Sequence, residues 1–243
     1  MNYFYDFHIH SCLSPCADDD QTPNNIAGMA SLCGLNIVAL TDHNSCRNCP
    51  AFFEAAKRYS ITPVAGMELT TSEDIHIICL FENLEDALRF NDEVDRHRIL
   101  IPNKTEVFGN QLILDGEDNI IGEEKHFLTN ATDISIEDAP ALVEKYGGIC
   151  YPAHIDRPAN GIIATLGVFP DTPHFDIVEF ANERNIPGYT EKYSLEGKRT
   201  VIGSDAHRLT DMRDGVHFFE LGCKPGDDIV IRQNLFELLR QSR

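Results

Sequence analysis

Long apolar runs are missing from this chain of 243 residues. No stretch of about 18 apolar residues occurs, so no segment is expected to span a membrane. Basic residues are scarce: 20 Lys and Arg stand against 39 Asp and Glu, for a formal net charge of −19. The first 46 residues contain neither Lys nor Arg. A secretory signal needs a basic n-region, so none is expected, and the expected compartment is the cytoplasm. A surface this acidic repels polyphosphate chains and anionic lipids. That disfavours a nucleic-acid coat protein or a membrane-surface binder, and it makes long nucleic acid a poor partner. Internal repeats, low-complexity tracts and linkers are absent as well. Neither a G-x-S-x-G elbow nor a P-loop is present to supply a nucleophile or a phosphate cradle.

What is present suits a folded enzyme. Hydrophobic residues make up 42% of the chain, enough for a core, and the length suits one large domain over residues 1–243. The 8 cysteines, in a chain without a secretory signal, read as free thiols. Cys46-x-x-Cys49 and Cys12-x-x-x-Cys16 do not make up the four well-spaced ligands of a structural zinc site.

Short apolar runs alternate with helical stretches. Strands are predicted at 3–9, 35–40, 62–67, 75–81, 149–153, 175–180, 200–203 and 216–221. Helices are predicted at 22–33, opened by Thr22-Pro23, and at 51–59, 84–97, 135–146 and 227–241. Residues 100–132 break the rhythm. There, 111–121 reads as two short strands around an Asp-Gly turn, a β-hairpin insertion. Such alternation predicts an α/β fold with a mostly parallel sheet, and seven or eight strands suggest a barrel. In a barrel, chemistry sits at the C-terminal strand ends.

Residues with chemistry fall at those ends. His8 and His10 close the first run and, two apart, share a face. Thr41-Asp42-His43-Asn44 ends the second, where Asp and Asn also make a turn. Glu68 ends the third, and His76 begins the next. His154 follows 149–153, and Asp205 with His207 follows 200–203. Imidazole with carboxylate suits zinc, manganese or iron and disfavours calcium or a thiolate site. There are too many ligands for one ion, and a carboxylate such as Glu68 can bridge two. His97, His126, His174 and His217 read as solvated or structural.

This ordered set resembles the PHP (polymerase and histidinol phosphatase) phosphoesterases. It comprises His8-x-His10, Thr41-Asp-His43, Gly66-x-Glu68 with His76, Ala153-His154 with Arg157, and Ser204-Asp205-Ala-His207. The resemblance implies a distorted TIM-like (β/α)7 barrel with two or three divalent transition metal ions. His8, His10, Glu68 and Asp205 would hold the first ion. Glu68, His76 and His154 would hold the second, with Glu68 bridging. His43 and His207 would hold the third, with one residue after the first strand. Here the pattern departs: in Asp18-Asp19-Asp20 the count back from Thr22-Pro23 favours Asp18, with Asp20 as the alternative and helix N-terminal charge as the plain reading.

The expected reaction is hydrolysis of a phosphate ester by a metal-bridging hydroxide. Arg157 is the candidate phosphate clamp, since guanidinium matches phosphate in a bidentate manner, and Arg208 is second. Asp205 or His207 would relay a proton to the leaving group. The expected substrate is a small phosphorylated molecule or nucleotide. The rivals are a nuclease acting on short oligonucleotides, a metal-dependent amidohydrolase, and a non-catalytic metal-binding module. The 100–132 hairpin is expected either to wall the pocket or to decorate an edge.

Overall fold

A computed structural model describes residues 1–241. In chain order its elements begin with β1 (Asn2–Asp6), α1 (Pro23–Leu32), β2 (Ile37–Leu40), α2 (Cys49–Arg58), β3 (Thr62–Thr70), β4 (His76–Phe81) and α3 (Leu84–His97). The turn α4 (Thr105–Phe108), β5 (Leu112–Leu114) and β6 (Ile120–Glu123) make up the insertion. Then come α5 (Ala139–Lys145), β7 (Gly148–Pro152), α6 (Ile162–Leu166), β8 (Ile177–Phe180), α7 (Ile186–Tyr193), β9 (Arg199–Ile202), β10 (Phe218–Glu220) and α8 (Asp228–Arg240). Among the described residues, no helix is long and apolar enough to cross a membrane.

Six strands form a curled sheet in the order β10-β1-β2-β3-β4-β7, and β8-β9 form a parallel pair beside it. A parallel bridge between Ile9 and Ala206 links the end of β1 to the chain after β9. The α/β, TIM-like expectation holds, but the sheet is less parallel than predicted. β1, β2 and β3 run parallel, whereas β4 is antiparallel to both β3 and β7. The reason is chain length. Only residues 71–75 join β3 to β4, and a parallel crossover needs a dozen or more. The reversal matters, because it brings the start of β4 to the rim where β3 ends.

Side-chain alternation divides the sheet into two faces. One buries Tyr3, Tyr5, Ile37, Ala39, Val64, Ile78, Tyr151, Ile177 and Val201 together with Ile231, Leu235 and Phe236 of α8. The other packs Val38, Leu40, Ala65, Ile77, Val178 and Phe180 with α1, α2 and α3 residues such as Ile26, Phe52 and Phe90. Counting by twos along the first face from Ile37, Val64, Ile177 and Val201 reaches His43, Glu68, Glu179 and Asp205. The same period that builds the core thus delivers the polar groups to one rim. β1 ends at Asp6, earlier than the predicted strand end, and α6 and α7 are additional short helices. The eight cysteines are free. Cys46 and Cys49 are buried with both Sγ atoms on the Gly66 carbonyl, at 3.2 and 3.6 Å, as packing groups.

Candidate metal centre

Five imidazoles converge on one carboxylate. Glu68 is buried, and its oxygens lie 3.3 Å from His8 Nε2, 3.4 Å from His10 Nε2, 3.0 Å from His43 Nδ1, 2.8 Å from His76 Nδ1 and 3.0 Å from His154 Nε2. The β3–β4 register explains His76. It pairs with Thr70 while Glu68 pairs with Ile78, so the two side chains lie diagonally on one face. Asp205 completes the floor, with Oδ1 at 3.2 Å from His8 Nε2 and 3.0 Å from His10 Nε2.

The backbone is bent to aim these groups. His154 and Asp205 have φ of 28° and 52°, in the left-handed region that non-glycine residues seldom occupy. Parallel-type bonds hold the loop ends in place: Asp205 N–H donates to His8 O at 2.9 Å, and His10 N–H donates to Ala206 O at 3.0 Å. Gly203 is required beside them. A Cβ there would lie 2.7 Å from Glu179 Oε2 and 2.8 Å from His8 Cβ.

A supporting layer fixes the rings. His8 Nδ1 donates to Glu179 Oε1 at 2.7 Å, and the same oxygen accepts the His154 N–H at 3.1 Å. This leaves His8 Nε2 facing the cluster. Asp42 is a hub: it accepts Ser11 N–H and Oγ–H and Ser14 Oγ–H at 2.6–2.7 Å. Ser14 Oγ in turn lies 3.1 Å from His10 Nδ1 and accepts the His43 N–H. His207 Nδ1 donates to the Asp205 carbonyl at 2.8 Å. Sequence reasoning missed Glu179. Its signal was a lone charge inside the apolar run Ile177-Val-Glu-Phe180, every residue of which is buried.

The charges are strongly coupled. Burial works against ionised Glu68, but His76, His8 and His43 outweigh it and hold the carboxyl well below its usual range. Burial likewise opposes a charged His8, yet Glu179, Asp205 and Glu68 raise it well above an ordinary imidazole. His10 goes the other way, lowered by burial and by His207 and His43. Asp6, buried behind the cluster, is pushed up to about 6 by burial, against hydrogen bonds from Ser204 and the His8 backbone.

The donors fit divalent cations. His8, His10, Glu68 and Asp205 offer ligand atoms within 4.8 Å of one another, as do His43, Glu68 and His76, and as do His10, His43 and His207. His8 Nε2 and His10 Nε2 face each other at 3.2 Å, so a proton or a cation must lie between them. His76 Nε2 and His154 Nδ1 are buried without hydrogen-bond partners. Sequence-chosen Asp18 is not brought in. Its carboxylate is exposed, 3.5 Å from Arg208 Nε, and only its backbone touches the site, donating to His207 O at 3.0 Å. The loop turns at Ser14–Ala17, which spends its inward position on Ser14. Asp20 is exposed too. Arg157 is at the cluster, paired with Asp205 Oδ2. The remaining histidines stand apart: His97 on Asp133, His126 near Glu124, His174 near Asp176 and His217 near Glu183.

Comparison with known proteins agrees with this layout. Residues 6–123 match the PHP domain model. The matched residues supply His8, His10, His43, Glu68 and His76 to a buried cluster suited to divalent ions. Over 86 residues the chain is 34% identical to an uncharacterized protein of Methanocaldococcus jannaschii, in an alignment covering 32% of this chain and 50% of that one. It therefore spans about half the length of this relative. Among solved structures, the lesion-specific endonuclease PfuEndoQ of Pyrococcus furiosus superposes with a TM-score of 0.64 at 18% identity, over 96% of this chain and 55% of that one. A candidate metal-dependent phosphoesterase from Bifidobacterium adolescentis gives 0.53 at 17% identity, over 96% of both chains. An amidohydrolase from Chromobacterium violaceum also gives 0.53, at 18% identity, over 91% of this chain and 93% of that one. At these identities the likeness is one of fold.

Proposed function

We propose that this protein is a PHP-type enzyme that hydrolyses a phosphate ester of a small molecule or nucleotide at a three-ion centre. The observation that carries the reading is Glu68, a buried carboxylate with five imidazole nitrogens within 3.4 Å. A structural ion pair needs one histidine, not five. His8, His10, Glu68 and Asp205 would hold one ion. Glu68, His76 and His154 would hold a second, with His76 and His154 on the same Glu68 oxygen. His43 and His207 would hold a third, and Asp18 stands outside this set. The family match ends at residue 123, yet His154, Asp205 and His207 meet the matched residues in one cluster. That supports a single functional unit over 1–243, with 100–132 inserted.

Divalent ions bound there would acidify water and offset charge on phosphoryl oxygens. The chain supplies the rest. Arg157 lies at the cavity, half-exposed, and would turn its guanidinium from Asp205 to an incoming phosphoryl group. His207 is the most accessible of the cluster histidines. Its Nδ1–H is held by the Asp205 carbonyl, so Nε2 is the atom that would hold the third ion; in a two-ion centre the same Nε2 would pass a proton to the leaving oxygen. The cavity over the cluster, about 410 Å³, accommodates a phosphate with a small leaving group.

A second reading, a nuclease, draws on the fold likeness to endonuclease Q, one structure of which holds a 27-mer duplex with an abasic lesion at its active site. The net charge of −19 works against a long DNA track but not against a short end entering the cavity. Metal analysis of purified protein, followed by phosphate release from phosphomonoesters, nucleotides, cyclic diesters and short oligonucleotides, separates the readings. Zinc, manganese and iron are the ions to assay. A protein without transition metal that releases nothing would sink both readings. Full activity in His8→Ala or Asp205→Ala would place the chemistry elsewhere.

A further inference from the structure

The insertion reaches the centre through one side chain. Asn44, fully buried with φ 48°, donates from Nδ2 to Leu128 O at 2.6 Å and to Asn130 O at 2.9 Å. Its Oδ1 accepts the Thr70 N–H at 2.8 Å, and its own N–H donates to Glu68 O at 2.9 Å. One amide thus ties the ends of β2 and β3, which carry His43 and Glu68, to the two residues flanking Thr129. Gln111 reinforces the segment: its Oε1 accepts the Leu128 N–H at 2.8 Å.

Thr129 is thereby fixed over the cavity that His43, Glu68, His154, Arg157 and Asp205 also line. Its Oγ1 is buried and has no hydrogen-bond partner in the protein. A buried hydroxyl is normally satisfied, so one held unpaired in a reactive cavity points to a ligand. Pro158 and Ala159, on the same lining, carry no side-chain donor. We infer that Thr129 is a substrate-binding residue whose hydroxyl donates to an oxygen of the phosphate ester held over the cluster, on the wall that the insertion provides. This rests on the phosphoesterase reading above and adds a specificity determinant to it.

The test uses the full-length, metal-reconstituted protein with three side chains at position 129. Inorganic phosphate binding is measured by calorimetry, and kcat and KM are measured on the best ester from the screen. Thr129→Val keeps the shape and removes the hydroxyl. It should weaken phosphate binding and raise KM by about tenfold or more, the range for a hydrogen bond to a charged acceptor. Metal content and melting temperature should stay at wild-type values. Thr129→Ser should restore both quantities to within about threefold. If Thr129→Val binds phosphate and turns over like wild type, the hydroxyl makes no bond to the ligand and the inference fails. If Thr129→Ser is as weak as Thr129→Val, the methyl group and not the hydroxyl matters, and it fails again. A wild-type protein that loads metal yet neither binds phosphate nor cleaves any ester overturns the phosphoesterase reading itself, and the role of Thr129 falls with it.

Discussion

Glu68 and Asp18 are both carboxylates at the same rim, yet they sit in regions of different build. Glu68 lies in β3, paired on both sides, where the strand period dictates its direction and five imidazoles surround it. Asp18 lies in the loop after β1, where a turn at Ser14–Ala17 sets direction, and it ends exposed against Arg208. Strand residues inherit their aim from the sheet. Loop residues acquire it from local turns that sequence spacing alone does not resolve.

Four outcomes test that contrast. The largest effect belongs to the strand carboxylate: Glu68→Gln should remove bound metal and lower phosphate release by more than about a hundredfold, beyond what loss of an outer partner does. Metal content and activity near wild type would show that Glu68 is only a buried ion pair. Next is Glu179, which touches the cluster through His8 Nδ1. Glu179→Gln should weaken metal affinity by about 10–100-fold in a chelator competition, because it frees the ring to turn.

A smaller effect concerns the insertion. Glu124 is buried against Arg98 and Arg47; burial opposes its charge, but the His126 N–H and the two guanidiniums lower it to about 2. A depressed carboxyl stabilises the fold above its ordinary value near 4.5, and that contribution disappears as pH falls toward 2. Glu124→Gln should therefore cost about 2 kcal/mol at pH 7, read by denaturant unfolding, and progressively less as the pH falls below about 4.5. An undiminished gap in acid would exclude this origin. The smallest effect is Asp18→Asn, expected to change metal content and activity by less than about twofold, as for other exposed ion pairs. Loss of one ion in that variant would erase the contrast between loop and strand.

Much of the site was legible beforehand because strands have a fixed period. His8-x-His10 and Asp205-x-His207 announce a shared face, and Glu68 ends an apolar run. Asn44 was visible only as a turn former, because nothing local shows that its amide reaches residues 128 and 130. Glu179 went unread because a charge within an apolar strand looks like noise until its partner, 171 positions away, is known.

By itself the sequence determined which imidazoles and carboxylates stand at the strand ends and where the insertion falls, since residue chemistry and hydrophobic period are local properties. Only the tertiary structure decided the antiparallel turn of β4 that brings His76 to Glu68, the exclusion of Asp18 from the cluster, and the placing of Thr129 over the cavity. Each of these depends on which distant backbones share hydrogen bonds, and that is settled by how the whole chain packs.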